Sequence, residues 1–500
     1  MPIDFQLNVP FLCIFILMVT AIVLPLLKSN NMMRATTFVT MSVVAIFSLV
    51  LILYLKDNEA GYFTYQLGKA GAPWTNELRA GMFEAVMALV FSVVMMLSIA
   101  GGYKSYKDDI KEDKQYAYYV LMNMLTASLL ALVYTNDLFT AYVFIEINTV
   151  AACGIVVAKE TGETVWATIK YFIMSALGSG LLLFGISILY TITGHLLMDG
   201  LNSSIQQLVS TGTYMFPLIV AFAFIMISVC VKSALFPFHS WLPDAHGSAT
   251  ATSSAILSGL VLKGYIILLI KVIYRIYGIE TIATLNVLPV ILILGLAAMM
   301  YGSIMAVMQK EIKQMIAYSS VAQVGYIFMG IGLGTKLGLD AAVFHIVTHA
   351  ITKAMLFLNA GTIIKQAHVK KLKNLGNFGY TMPITMALFT LGALSMIGIP
   401  PSIGFSSKWN FAEAIMTSDK VWIILLLAIS SLLNALYYLP VVIRAYFNGK
   451  DAAVQSVSIE RKEGALAELL PMILLGISIV CFGLYSDVIF NFISVGLTHL

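Results

Sequence analysis

The sequence predicts an all-α polytopic membrane protein of about fourteen transmembrane helices, on three observations. Of its 500 residues, 60% are hydrophobic and 11% are charged, whereas a soluble domain is nearer half apolar and a quarter charged. Mean hydropathy is +0.91. The apolar residues are also gathered into runs of about 20, the length an α-helix needs to cross a bilayer, joined by short connections.

Taken in order, the spans start near residues 9, 36, 81, 116, 137, 166, 214, 249, 286, 314, 339, 382, 421 and 468. The first run, "FLCIFILMVTAIVLPLL", lacks a basic leader and a small-residue cleavage site, so it reads as a retained helix. Only the connections 55–80, 193–213 and 445–467 are long enough to carry local structure. The chain ends soon after the last span, with no room for a further long helix. Cys13, Cys153, Cys230 and Cys481 lie in apolar runs without CxxC spacing and read as buried packing residues, with neither disulfide nor metal site implied. With 29 Lys+Arg against 25 Asp+Glu and no basic tract, nucleic acid is not an expected partner. A P-loop, a haem motif and a nucleophile arrangement are also missing, which argues against a catalytic role.

Orientation follows from the loops. Alternate loops, counted from the one after the first span, collect seventeen Lys and Arg against six on the other side, with six more inside spans. Basic loops face the cytoplasm, so both termini are expected on the outer side of the cell membrane.

The basic residues within spans are Lys170, Lys232, Lys263, Lys271, Lys353 and Lys408. A lysine at mid-membrane costs roughly 2.5–3.5 kcal/mol on insertion scales and normally faces protein interior or water. Snorkelling is the alternative; it suits Lys271, one turn from a helix end, and Lys170. It fits poorly for Lys263 in "ILSGLVLKGYIILLI" and Lys353 in "FHIVTHAITKAMLFL". Glu146 sits near the middle of its span with no basic partner one turn away, so a partner must come from another helix, either as a functional pair or as a structural tie. Asp137 reads as an N-cap. Glu84 reads as either a functional or an interfacial carboxylate.

His345 and His349 share a helix face at i, i+4, with Lys353 one turn on. Without an HExxH glutamate or a nearby thiolate, this stack resembles a proton relay more than a ligand set, since histidine exchanges protons near neutral pH. Two hydrogen-bonded core histidines are the alternative. Pro237 follows Lys232, and Pro400 and Pro401 precede Lys408. A proline breaks the helix, and breaks at membrane depth recur in the two halves of transporter repeats beside the ion site. The breaks fall in spans 7 and 12, which is what five-helix repeats of spans 4–8 and 9–13 would give.

At this point four stretches resemble a known family. "VKSALFPFHSWLPDAH", "IKQMIAYSSVAQVGY", "FHIVTHAITKAMLFLNAG" and "GIPPSIGFSSKW" are similar to the antiporter-like subunits of respiratory complex I, Mrp-type cation/proton antiporters and membrane-bound energy-converting hydrogenases. The resemblance covers about residues 115–445. It implies two inverted five-helix repeats, 115–275 and 284–447, between an N-terminal three-helix segment 1–114 and a C-terminal part 448–500. It also implies a Glu146–Lys232 pair, a central Lys263, the His345, His349 and Lys353 pattern, and Lys408 as the end of a hydrophilic axis. Two departures stand out. The family usually has a proline soon after the WLPDAH stretch, whereas "GSATATSS" has none, which predicts a regular start to span 8. Gln323 stands where many relatives carry histidine.

The resemblance implies an ion-translocating subunit, for H+ and/or Na+, of a multisubunit complex of hydrogenase or Mrp type. Complex I or a free-standing antiporter is the alternative, and a structural subunit with a vestigial axis is a further rival. Separation of Glu146 from Lys232 would push the lysine's proton towards Lys263, then through His349 and His345 to Lys408. His239, Asp244 and His246 are expected to order the loop beyond the break or to guide ion entry. No cofactor is expected in this chain; the expected partners are other membrane subunits and peripheral iron–sulfur or hydrogenase subunits.

Overall fold

The computed structural model describes residues 5–57, 61–68, 75–447 and 463–500. Thirteen helices among them are long and apolar enough to cross a membrane. The remaining expected span, the twelfth, is divided into Pro383–Ile397 and Ile403–Met416. The expected starts match the helices closely; the largest difference is span 2, which begins at Asn30.

Two of the long connections carry structure. In the first, strand Tyr62–Gln66 pairs antiparallel with strand Glu77–Gly81, Tyr62 opposite Gly81 and Gln66 opposite Glu77. In the second, helix Met198–Ser210 buries Met198, Leu201 and Ile205, one face of a helical turn pattern. Asn202 and Gln206 on that helix donate to the carbonyls of Ile276 and Tyr277 at 3.1 and 2.8 Å, which pins it to the end of span 8. In the third connection, residues 448–462 lie outside the described residues. A short helix, Ser486–Leu497, follows the last span.

Span 8 (Ala251–Tyr277) and span 11 (Lys336–Ala367) are buried along their apolar length and form the centre of the molecule. Spans 9 (Leu288–Met308) and 10 (Ile312–Gly332) approach backbone to backbone. A Cβ on Gly302 would collide with the Ala322 backbone, and one on Gly325 with that of Met299, so these glycines permit the contact.

Both breaks are stitched by side chains. Span 7 stops at Lys232 and resumes as Trp241–Ser248; Trp241 Nε1 donates to the carbonyl of Val231 at 3.1 Å. In span 12, Lys408 Nζ donates to the carbonyl of Ile397 at 2.8 Å and Asn434 Nδ2 to that of Met396 at 3.1 Å. Carbonyls left over where a helix stops thus find donors, as a water-poor environment requires. The Phe236–Pro237 and Pro400–Pro401 bonds are cis, and Pro237, Pro400 and Pro401 are all exposed.

Span 8 does start regularly. Thr250 caps it, accepting from Ser253 N–H at 3.1 Å, and α-helix runs from Ala251 to Ile256. The helix then widens into π turns at Leu257–Val261 and Val272–Tyr277. One cysteine expectation is corrected: Cys13, Cys153 and Cys230 are buried, but Cys481 is exposed, because it lies on the outer face of the peripheral last span.

Candidate functional site

The polar side chains inside the spans fall into three groups. In the first, Lys232 ends the first half of span 7, and Glu146 lies midway along span 5 (Leu138–Val157). Lys232 Nζ donates to Thr149 Oγ1 at 3.0 Å and stands 4.0 Å from Glu146 Oε1. The two partners differ in exposure, 1% for the lysine side chain against 37% for the glutamate. Lys232 also lies 5.6 Å from the Tyr265 ring centre. Tyr265 OH donates to Asn148 Oδ1 at 2.8 Å, and Asn148 Nδ2 to Ser128 Oγ at 2.9 Å. Asp137 caps span 5 as expected, accepting from Thr140 N–H at 2.6 Å.

The second group centres on Lys263, which is fully buried. Its ammonium donates to the carbonyl of Ser258 within the first π turn, where the widened helix offers an acceptor. Ser258 Oγ is 2.8 Å from Ser320 Oγ on span 10. The neighbouring Ser319 accepts from Lys353, whose ammonium also donates to the Ile316 carbonyl at 2.9 Å. Ser319 in turn bonds Tyr438 OH at 3.0 Å. Gly259 lets span 8 pack closely on span 11: a Cβ there would sit 3.2 Å from the carbonyl of Ala350. That residue lies between His349 and Lys353.

The third group joins span 11 to the broken span 12. His345 Nδ1 bonds Ser407 Oγ at 2.8 Å, and its ring stacks on Tyr326 at 5.6 Å. Tyr326 OH donates to Ser430 Oγ at 2.9 Å. Lys408 Nζ donates to Ser431 Oγ at 2.9 Å and lies 5.4 Å from the Tyr326 ring centre. Among the described residues, His349, one turn from His345 with ring centres 6.1 Å apart, has no hydrogen-bond partner on either ring nitrogen, and neither has the buried amide of Gln323.

Beyond the first break the three residues separate. Asp244 forms an ion pair with Lys170 at 2.8 Å, tying the short helix Trp241–Ser248 to span 6 (Gly162–Thr193); this also gives Lys170 a protein partner in place of free snorkelling. His239 packs against Tyr301, ring centres 4.8 Å apart. His246 is not a loop residue at an aqueous mouth. It is fully buried and stacked on Phe357 of span 11 at 4.7 Å, because the short helix turns into the bundle. The next residues, Gly247 and Ser248, line a cavity of about 690 Å³ that opens among basic loops and also holds Asp108, Lys159, Glu311 and Lys313.

The family described as "NADH:quinone oxidoreductase/Mrp antiporter, TM" matches residues 135–434, which include Glu146, Lys232, Lys263, His345, His349, Lys353 and Lys408. The chain belongs to this family. It is 32% identical over 432 residues to "NADH-quinone oxidoreductase subunit N" of Desulforudis audaxviator, covering 84% of each chain. It is 28% identical over 446 residues to a Na(+)/H(+) antiporter subunit of Alkalihalophilus pseudofirmus, covering 89% of this chain and 88% of that one. Among solved structures, a chain of the membrane-bound sulfane sulfur reductase, described as an archaeal respiratory membrane complex, superimposes with a TM-score of 0.88. It is 25% identical, over 98% of this chain and 96% of that one.

This family member carries a further charged cluster that sequence reading missed. Arg275, at the end of span 8, forms an ion pair with Glu84 of span 3 (Met82–Gly101) at 2.7 Å, and both side chains are buried. Lys271 does not snorkel. It is fully buried and donates to the carbonyls of Leu132, Val133 and Thr135, at the C-terminal end of span 4 (Gln115–Tyr134), where the helix dipole attracts a cation. Glu84 is therefore a buried, paired carboxylate and not an interfacial one. The signal for the cluster was the run "LIKVIYRIYG", with two cations one turn apart.

Proposed function

We propose that this chain moves H+ and/or Na+ across the membrane as a subunit of a multisubunit energy-converting complex. The observation that carries the reading is the row of buried titratable side chains through the middle of the spans: Lys232, Lys263, Lys353, His349 and His345 are each at most 2% exposed, and Lys408 follows. In this reading Glu146 and Lys232 form the switchable pair, and Lys263 is the central proton holder. Ser258, Ser320 and Ser319 carry hydroxyls between Lys263 and Lys353. His349 and His345 then lead to Lys408. Unpaired buried polar atoms cost about 1–3 kcal/mol each. Water along the axis would relieve that cost at His349 and Gln323, and a hydrated strip is what proton transfer between such groups requires. Pro237, Pro400 and Pro401 shape the two breaks, while His239, Asp244 and His246 fix the segment between the first break and the cavity that Gly247 and Ser248 line.

The parent complex in this reading is of hydrogenase or Mrp type, with peripheral iron–sulfur or hydrogenase subunits in the first case. A complex I type assembly is the second reading, favoured by the relative at 32% identity. The movement that separates Glu146 from Lys232 comes from another subunit, and this chain holds no cofactor. The loop charges support a cell-membrane protein with both termini outside. The paired breaks support two inverted five-span units, 115–275 and 284–447, flanked by 1–114 and 448–500.

Lys263→Ala in the assembled complex tests the axis. The expected result is loss of ion pumping in vesicles with complex assembly unchanged; undiminished pumping would overturn it. A pull-down on the native chain tests the setting. Iron–sulfur or hydrogenase subunits in the eluate identify a redox-driven pump, and small membrane subunits alone identify an antiporter. A chain that comes out alone and still moves ions refutes the complex-subunit reading.

A further inference from the structure

Three cavities open at the end of the molecule where the basic loops lie, and their charges differ. The cavity beside Gly247 mixes cations with Asp108, Asp109, Glu163 and Glu311. A second, of about 1310 Å³, mixes Lys28 and Lys107 with Asp108, Glu112 and Asp113. The third, of about 520 Å³, between spans 9, 10 and 13 (Ile423–Phe447), is lined by Lys310, Lys371, Lys373 and Arg444 and, among the described residues, by no carboxylate. None of these four cations forms an ion pair with a described residue.

The frame of this third cavity is fixed by backbone pairing. Leu372 N–H donates to the Lys310 carbonyl at 2.9 Å and Ile312 N–H to that of Lys370 at 3.1 Å. This holds the connection after span 11 against the start of span 10. The cavity's other wall is apolar, with Val307 and Leu436 among its residues. Below them, exposed Ile304 and Leu432 continue the same apolar strip along spans 9 and 13. A cationic bowl at the end of two spans, open onto a lipid-facing apolar groove, matches one chemistry: a phosphate headgroup with acyl chains attached. Basic pockets between transmembrane helices bind such headgroups, and a topogenic charge needs neither the convergence nor the groove.

We propose that this cavity binds an anionic phospholipid, its phosphate among Lys310, Lys371, Lys373 and Arg444 and its chains along spans 9 and 13. A cation near an anionic lipid surface contributes roughly fivefold in affinity, so removal of three weakens binding on the order of a hundredfold.

The test is native mass spectrometry of the full-length chain in mild detergent, with phosphatidylglycerol or phosphatidylcholine added. The parent, a Lys371→Gln/Lys373→Gln/Arg444→Gln variant and a Lys28→Gln/Lys107→Gln control are compared. The expected result is a tight phosphatidylglycerol adduct on parent and control, weakened about a hundredfold in the triple variant, with phosphatidylcholine weak on all three. Equal adducts on parent and triple variant, or equal binding of the two lipids, would overturn the proposal. Displacement of the lipid by millimolar inorganic phosphate would do so too, since the site would then be one for a free ion. Should the triple variant not insert, a photoactivatable phosphatidylglycerol on the unmodified chain decides. Cross-links within 304–310, 371–373 and 432–444 support the site, and cross-links only elsewhere refute it.

Discussion

The Glu84–Arg275 pair offers the sharpest energetic test, because its surroundings are unequal. Arg275 donates to Glu84 Oε1 at 2.7 Å, and the other carboxylate oxygen accepts Gly81 N–H at 3.0 Å. Lys271 and Arg79 also act on Glu84, so one carboxylate serves three cations. Breaking a buried pair from one side costs about 3–5 kcal/mol, since it strands the other charge. Arg275→Met leaves Glu84 with two countercharges and should fall at the lower end of that range. Glu84→Gln leaves Arg275 and Lys271 with no anion, Arg79 alone keeping Asp199 at 3.5 Å, and should fall at the upper end. The double variant should be less unstable than the sum of the singles by about 2 kcal/mol, within the range seen for contacting residues. Denaturant midpoints of the purified chain in one detergent would measure all three. If Arg275→Met costs more than Glu84→Gln, or if the singles simply add, the reasoning fails.

Two further predictions rest on close contacts and on exposed charge. Gly302→Leu should abolish recovery of folded chain, because its side chain must enter the backbone of Ala322; Gly302→Ala should be the milder change, and a monodisperse size-exclusion peak at parental yield for Gly302→Leu would contradict the packing. Outside the spans, hydrogen bonds from Lys111 and Lys114 lower the Glu160 carboxyl from 4.5 to about 2. A lowered folded-state value means that the contact contributes fully above about 4.5 and is lost as pH falls through about 2. Hydrogen exchange in the loop around Glu160 should rise across that window in the parent and not in Glu160→Gln. The midpoint at neutral pH should stay the same in both, as exposed pairs are strongly screened.

The spans, both breaks and the buried lysines within the spans were legible because each is a contrast within a run: a charge or a proline where everything around it is apolar. What the sequence hid was which helix supplies each partner. Thr149, Ser258, Ser320, Ser407 and Ser431 look like ordinary small residues in apolar runs, and only the packing of spans against one another turns them into hydrogen-bond partners. Lys271 shows the same limit. Its distance from the helix end suggested the interface, yet the ammonium is met by the last carbonyls of span 4, which no pattern along span 8 encodes. His246 was misplaced for a related reason. A polar, proline-containing stretch between spans resembles a loop, and its burial depends on the short helix folding back against Phe357.

The unequal burial of Glu146 and Lys232 bears on how the axis could be driven. Were both fully enclosed, the pair would be a static tie, and nothing outside the chain could act on it cheaply. Instead the lysine is sealed in the bundle and donates to Thr149, while the glutamate, over a third exposed, stands on the outer face of span 5 beside the exposed Val143 and Val150. A carboxylate there at mid-membrane depth is costly against lipid and is stable against protein or water. A neighbouring subunit that covers this face therefore contacts the glutamate directly, and a cation or dipole it presents would compete with Lys232 for the carboxylate. A separation of 4.0 Å is already at the outer limit of an ion pair, so a small displacement of span 5 suffices to choose between the two partners. On the proposed function, the exposed half of the pair would be the one a neighbour reaches, and the buried half the one that passes the change to the axis.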